Sequence, residues 1–108
     1  RIGDPFVLDR APPLVRLSAA KVVDQVIQLS ATADDGQSRI AMAAYSLDGK
    51  AWVPIFADSG IFDSSTAKMT VRTDRLEVGT HLILVRAMDV AGNVGVADAV
   101  VAVSRADE

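Results

Sequence analysis

The side chains that could do chemistry in this chain are few. There is one histidine, His81, and no cysteine among 108 residues. Disulfides, thiolate nucleophiles and cysteine-based zinc sites are therefore absent, and any acid–base or triad chemistry would have to use His81 as its imidazole. Ser and Thr occur without a G-x-S-x-G elbow, and no glycine-rich phosphate loop is present. His81 sits among strand-forming residues, a setting that suits a corner histidine bonded to backbone better than a general base. The sequence thus argues against catalysis and assigns no cofactor.

Two other groups of residues invite a binding chemistry. Asp34, Asp35, Asp58, Asp63, Asp89 and Asn93 all fall in expected turns, and hard oxygen ligands drawn from three loops could hold calcium. Their spacing lacks the D-x-D-x-D-G pattern. The same residue types are what tight turns select, because their side chains bond nearby amides and tolerate left-handed backbone. The metal assignment is therefore none, with calcium at these six residues kept as an alternative. Trp52 could stack on a sugar ring, but one indole in a chain with one Tyr and three Phe is a weak platform. Packing across a hairpin is the simpler role, and carbohydrate binding through Trp52 stands as the second alternative.

The elements that must position these residues are strands. Val26–Asp34 alternates Ile27, Leu29, Ala31 and Ala33 against Gln28, Ser30 and Thr32, and Lys68–Thr73 alternates in the same way. Asp48-Gly49 is a two-residue type I′ hairpin signal between the runs 39–47 and 51–56. Thr80–Val103 reads as a long hairpin turning through Asp89–Asn93. With a weaker first strand over Leu14–Ser18, seven short strands and no helical periodicity predict an all-β, immunoglobulin-like (fibronectin type III-like) antiparallel sandwich of about seven strands. Strands one, two and the Lys68 strand are expected in one sheet, and the remaining four in the other.

Residues 1–13, with Gly3, Pro5, Pro12 and Pro13, read as a linker or N-terminal extension, 14–104 as the sandwich, and 105–108 as a tail. The opening at Arg1 rather than Met reads as a processed or excised piece. Half of the residues are hydrophobic, yet no run approaches the length that crosses a bilayer, so no membrane insertion is expected. The net charge of −3 comes from scattered charges without a basic cluster, and nucleic acid is excluded as a partner on that ground.

The stretches Tyr45–Ile55 (YSLDGKAWVPI) and Leu76–Gly95 (LEVGTHLILVRAMDVAGNVG) resemble the immunoglobulin or fibronectin type III-like domains of bacterial extracytoplasmic proteins, in particular those appended to secreted β-propellers. The likeness covers most of the chain after Gln25. It implies an accessory or spacer module, extracytoplasmic and without activity of its own. His81 stands where many such relatives place a corner tyrosine, which puts the usual corner hydrogen bond in question.

The two predicted sheets differ on their outer faces. The Val26 and Lys68 strands present polar residues outward, whereas the strands of the other sheet are apolar on both faces apart from Arg86 and Asp98. Met42, Leu82, Leu84, Met88, Val96 and Val100 are expected to form an outward apolar patch, of the kind that marks an interface with a neighbouring domain of the parent chain or with a second copy.

Overall fold

The computed structural model describes residues 12–36, 38–62 and 64–104. Most of the expected linker, the whole of the expected tail, Gln37 and Asp63 lie outside these residues. Alternation decides the architecture, because a strand with one apolar face must bury that face against another. The eight strands are β1 (Leu14–Leu17), β2 (Lys21–Val23), β3 (Val26–Asp34), β4 (Ile40–Leu47), β5 (Val53–Ile55), β6 (Thr66–Arg72), β7 (Gly79–Asp89) and β8 (Val94–Val103). They form two four-stranded antiparallel sheets, and the sandwich is immunoglobulin-like, as the sequence predicts.

In the first sheet β3 carries β6 on one side and β1 and then β2 on the other. Its inward set, Ile27, Leu29, Ala31 and Ala33, packs with Ala67, Met69 and Val71 of β6. The second sheet runs β5–β4–β7–β8. Its core side is Ile83, Val85 and Ala87 of β7, all fully buried, with Ala43, Ile55, Val101 and Val103 beside them. Burial of each Ile, Val or Met contributes about 1.5–3 kcal/mol, so this layer is the main stabilising term of the domain.

One strand was not expected. β2 turns back onto β3 through Asp24 and Gln25, both in the left-handed region at φ 52° and 65°. That is type I′ geometry made without glycine or asparagine, a backbone that costs free energy for such residues. Gln25 offsets the cost by gripping the chain at Leu76. Its Nε2 donates to the Leu76 carbonyl at 2.7 Å, and Leu76 N–H donates to the Gln25 carbonyl at 2.8 Å.

A second departure lies in β4. A bulge between Ile40 and Met42 shifts the register, so Ile40 and Ala43 both face the core although they are three residues apart. Strict alternation would place them on opposite faces; one extra residue reconciles them. The Asp48-Gly49 turn forms as predicted, with φ 54° and 77°. β5 is shorter than its sequence run and contains Pro54, in register with Ala44.

Pro13, just ahead of β1, is buried. Its carbonyl lies so close over Gly95 of β8 that a Cβ there would come within 2.9 Å of the carbonyl carbon and nearer still to its oxygen. Gly95 is therefore needed for close approach of two backbones, and its φ is not in the left-handed region.

Candidate functional site

The outer face of the second sheet is assembled by register. Met42, Met88 and Val94 form one cross-strand row; Ala44, Arg86 and Val96 form the next; Ser46, Leu84 and Asp98 the third; Leu82 and Val100 the fourth. Met42, Leu82, Val96 and Val100 are exposed, Val100 to 70%. Leu84 and Met88 are half-buried. All six residues expected on this face are thus on it, together with Val94 at the start of β8, which was not among them.

Trp52 reaches this face from the start of β5. The Arg86 guanidinium lies over its indole at 4.3 Å from the ring centroid, a cation–π contact that places the charge against an aromatic face. This contact carries Trp52 past the Asp48-Gly49 hairpin to β7. Beside it, Met42, Ala43, Ala44, Arg86, Met88 and Val94 line a hollow of about 150 Å³. The face is apolar at both ends and carries Arg86 and Asp98 in its middle rows.

His81 occupies the corner below this face. Its Nε2 donates to the Glu77 carbonyl at 2.7 Å, so the corner bond is made by histidine in place of tyrosine. Its Nδ1 faces the Asp48 carboxylate at 2.6 Å. A carbonyl and a carboxylate are both acceptors, so satisfying the two contacts requires both ring nitrogens to carry protons. Accordingly the bond to Asp48, then the bond to Glu77, raises the His81 pKa above its ordinary value. His81 and the Leu82 N–H, which donates to Asp48 Oδ1 at 2.8 Å, lower that of Asp48. An imidazole held as a cation between two acceptors is a structural clamp, with no lone pair to accept a proton.

The turn aspartates are engaged locally. Asp89, fully buried, accepts from Ala91 N–H at 3.0 Å and Asn93 N–H at 2.9 Å through Oδ1, and from Asn93 Nδ2 at 3.1 Å through Oδ2. Asp35 Oδ1 accepts from Ser38 N–H, Asp34 from the Thr66 hydroxyl, and Asp58 from the Thr70 hydroxyl. Among the described residues no three carboxylate or imidazole side chains converge as a metal would need. Asp63 is not among them.

No family model and no curated protein matches the sequence. Solved structures do match the fold. The chain is similar to the PKD1 domain from Vibrio cholerae metalloprotease PrtV, with a TM-score of 0.63 at 12% identity, over 87% of this chain and 99% of that one. It is also similar to part of the sulfane dehydrogenase SoxCD from Paracoccus pantotrophus, with a TM-score of 0.51 at 23% identity, over 84% of this chain. It spans 21% of the length of that second chain.

Proposed function

We propose that this domain is a non-catalytic accessory module of a larger bacterial extracytoplasmic protein, and that it docks on a neighbouring domain of its parent chain through the outer face of the β5–β4–β7–β8 sheet. The observation that carries the reading is the asymmetry of the two outer faces. The first is polar through its central rows, from Gln28 to Thr32, with Leu14 exposed at one end and the Val23–Val26 pair at the other. The second exposes Met42, Leu82, Val96 and Val100. Covering about 500 Å² of such surface is favourable by on the order of 10 kcal/mol before the costs of association.

A neighbouring domain is favoured over a second copy because both similar structures are portions of larger proteins, one described as a domain of a metalloprotease and the other a fifth of its chain. The resemblance to domains appended to secreted β-propellers supplies one such setting, and it is the basis for the extracytoplasmic location. The absence of catalysis rests on the side-chain inventory, with the one imidazole held between two acceptors.

Methionine oxidation footprinting tests the docking. Met42 and Met88 should oxidise readily in the isolated domain and be protected in the parent protein, and Leu82→Lys should abolish that protection while the isolated domain still melts cooperatively. Equal oxidation rates in the two settings would refute docking through this face. Concentration-dependent dimerisation of the isolated domain that protects the same methionines would give the face to a second copy.

A further inference from the structure

The basic residues that look scattered along the chain are gathered by the first sheet. Register places Arg16 of β1, Thr32 of β3 and Lys68 of β6 in one outward row, and Lys21 of β2, Gln28 of β3 and Arg72 of β6 in another. The hydroxyls of Ser30 and Thr70 lie between the two rows. Thr32 and Gln28 are four residues apart, so the rows are about 13–14 Å apart at roughly 3.4 Å per residue. All four cations are exposed. Among the described residues the ion pair found is His81 with Asp48, and none of these four takes part in it.

Beyond the second row lies an open hollow. Lys21, Gln28, Arg72 and Arg75 border this hollow of about 630 Å³ with the apolar pair Val23 and Val26 between them, and Arg75 is steadied by donating to Gln25 Oε1 at 3.1 Å. Asp24 stands on its rim. Two further carboxylates near the face, Asp34 and Asp58, are turned to the Thr66 and Thr70 hydroxyls. In a chain of net charge −3, this face has more cations than carboxylates.

We propose that the outer face of the β1–β2–β3–β6 sheet binds a carboxylated acidic polysaccharide, with the Arg16/Lys68 and Lys21/Arg72 rows holding successive carboxylates and Ser30, Thr70 and Gln28 meeting the sugar hydroxyls between them. Charge complementarity selects an anion, and two separated rows select a polymer over a single ion. The chemistry between the rows distinguishes the polymer. A single-stranded nucleic acid requires aromatic platforms for its bases, and these rows carry none. An anionic membrane is held by basic residues together with inserted apolar side chains, whereas the side chains within and between the rows are polar and the single apolar pair, Val23 and Val26, lies beyond the Lys21/Arg72 row. Alternating cations with hydroxyl and amide groups match a chain that alternates carboxylates with hydroxyls. This surface lies opposite the docking face, so the proposal stands whether or not that face is covered.

The experiment is affinity electrophoresis and titration calorimetry with polygalacturonate, with dextran, an oligothymidylate and phosphatidylserine vesicles as comparisons. Polygalacturonate should retard the domain at low ionic strength and dextran should not, and affinity should fall by at least about tenfold when salt is raised fourfold, since binding releases counterions. Lys21→Glu with Arg72→Glu should weaken binding at least about tenfold with the thermal melt preserved, by the same electrostatics. Arg16→Gln with Lys68→Gln is the second pair, decisive if the first fails to fold, and Lys50→Gln, which removes an exposed charge in the β4–β5 turn away from this face, should change affinity less than about twofold. Absence of polygalacturonate binding at low salt, unchanged affinity in a folded charge variant, or tighter binding to the oligothymidylate or the vesicles would each overturn the proposal.

Discussion

Gly95→Ala isolates a single steric term whose sign is opposite to the ordinary expectation. In a strand with φ outside the left-handed region, replacing glycine by alanine normally stabilises by about 0.5–1 kcal/mol, because the unfolded chain loses freedom and the strand gains propensity. Here the new methyl carbon would overlap the Pro13 carbonyl oxygen, its nearest neighbour, and lie 2.9 Å from the carbonyl carbon. That is roughly 0.6 Å inside the ~3.5 Å at which carbon atoms pack best. The obstacle is backbone, so no rotamer change relieves it; either β8 bends or the segment at Pro13 lifts away and loses its burial. Overpacking of this kind costs about 1–3 kcal/mol, which exceeds the propensity gain. With about 4–8 °C per kcal/mol for a domain near this size, Tm should fall by roughly 5–15 °C. Calorimetry of the variant against wild type measures it. Gly36→Ala is the matched comparison, since nothing lies within 4 Å of a Cβ there and its φ is not left-handed; it should leave Tm unchanged or raise it by a few degrees. A Gly95→Ala Tm equal to or above wild type would refute the close approach of Pro13 to β8.

Two further outcomes are expected. His81, whose pKa is raised from an ordinary 6.5, stabilises fully below that value and loses its contribution as pH rises through the raised one; Asp48, lowered from 3.8, contributes fully above that value and loses it as pH falls through the lowered one. The Tm difference between wild type and Asp48→Asn should therefore be largest between pH 3.8 and 6.5 and shrink on both sides, and a difference independent of pH would remove the ion pair from the account. Asp89→Ala leaves the Ala91 and Asn93 donors without their carboxylate and should cost about 2–3 kcal/mol in denaturant unfolding, while a loss under about 0.5 kcal/mol would show that the turn holds itself.

What the sequence revealed and what it hid divide along a physical line. Strands with a repeating pattern were legible: Ile27, Leu29, Ala31 and Ala33 lie in the core because alternation has only one reading. β2 was not legible, because a turn through Asp24-Gln25 lacks the residues that signal one, and the grip of Gln25 on Leu76 that stabilises it comes from 51 residues away. The bulge after Ile40 is likewise silent in a run of small apolar residues. His81 was identifiable as a corner residue, but its clamp on Asp48 depends on how two hairpins meet. The basic rows are the clearest case. Arg16, Lys21, Lys68 and Arg72 look dispersed, and only the pairing of β1, β2 and β6 with β3 brings them together.

Pro54 has a consequence beyond its place in β5. A chain that is half hydrophobic and built from strands carries a hazard at every sheet margin, since an open margin is a template on which another chain can add and begin a fibril. β5 is only three residues long, and its central residue has no N–H to offer an arriving strand. Growth of the second sheet past β5 is thereby discouraged.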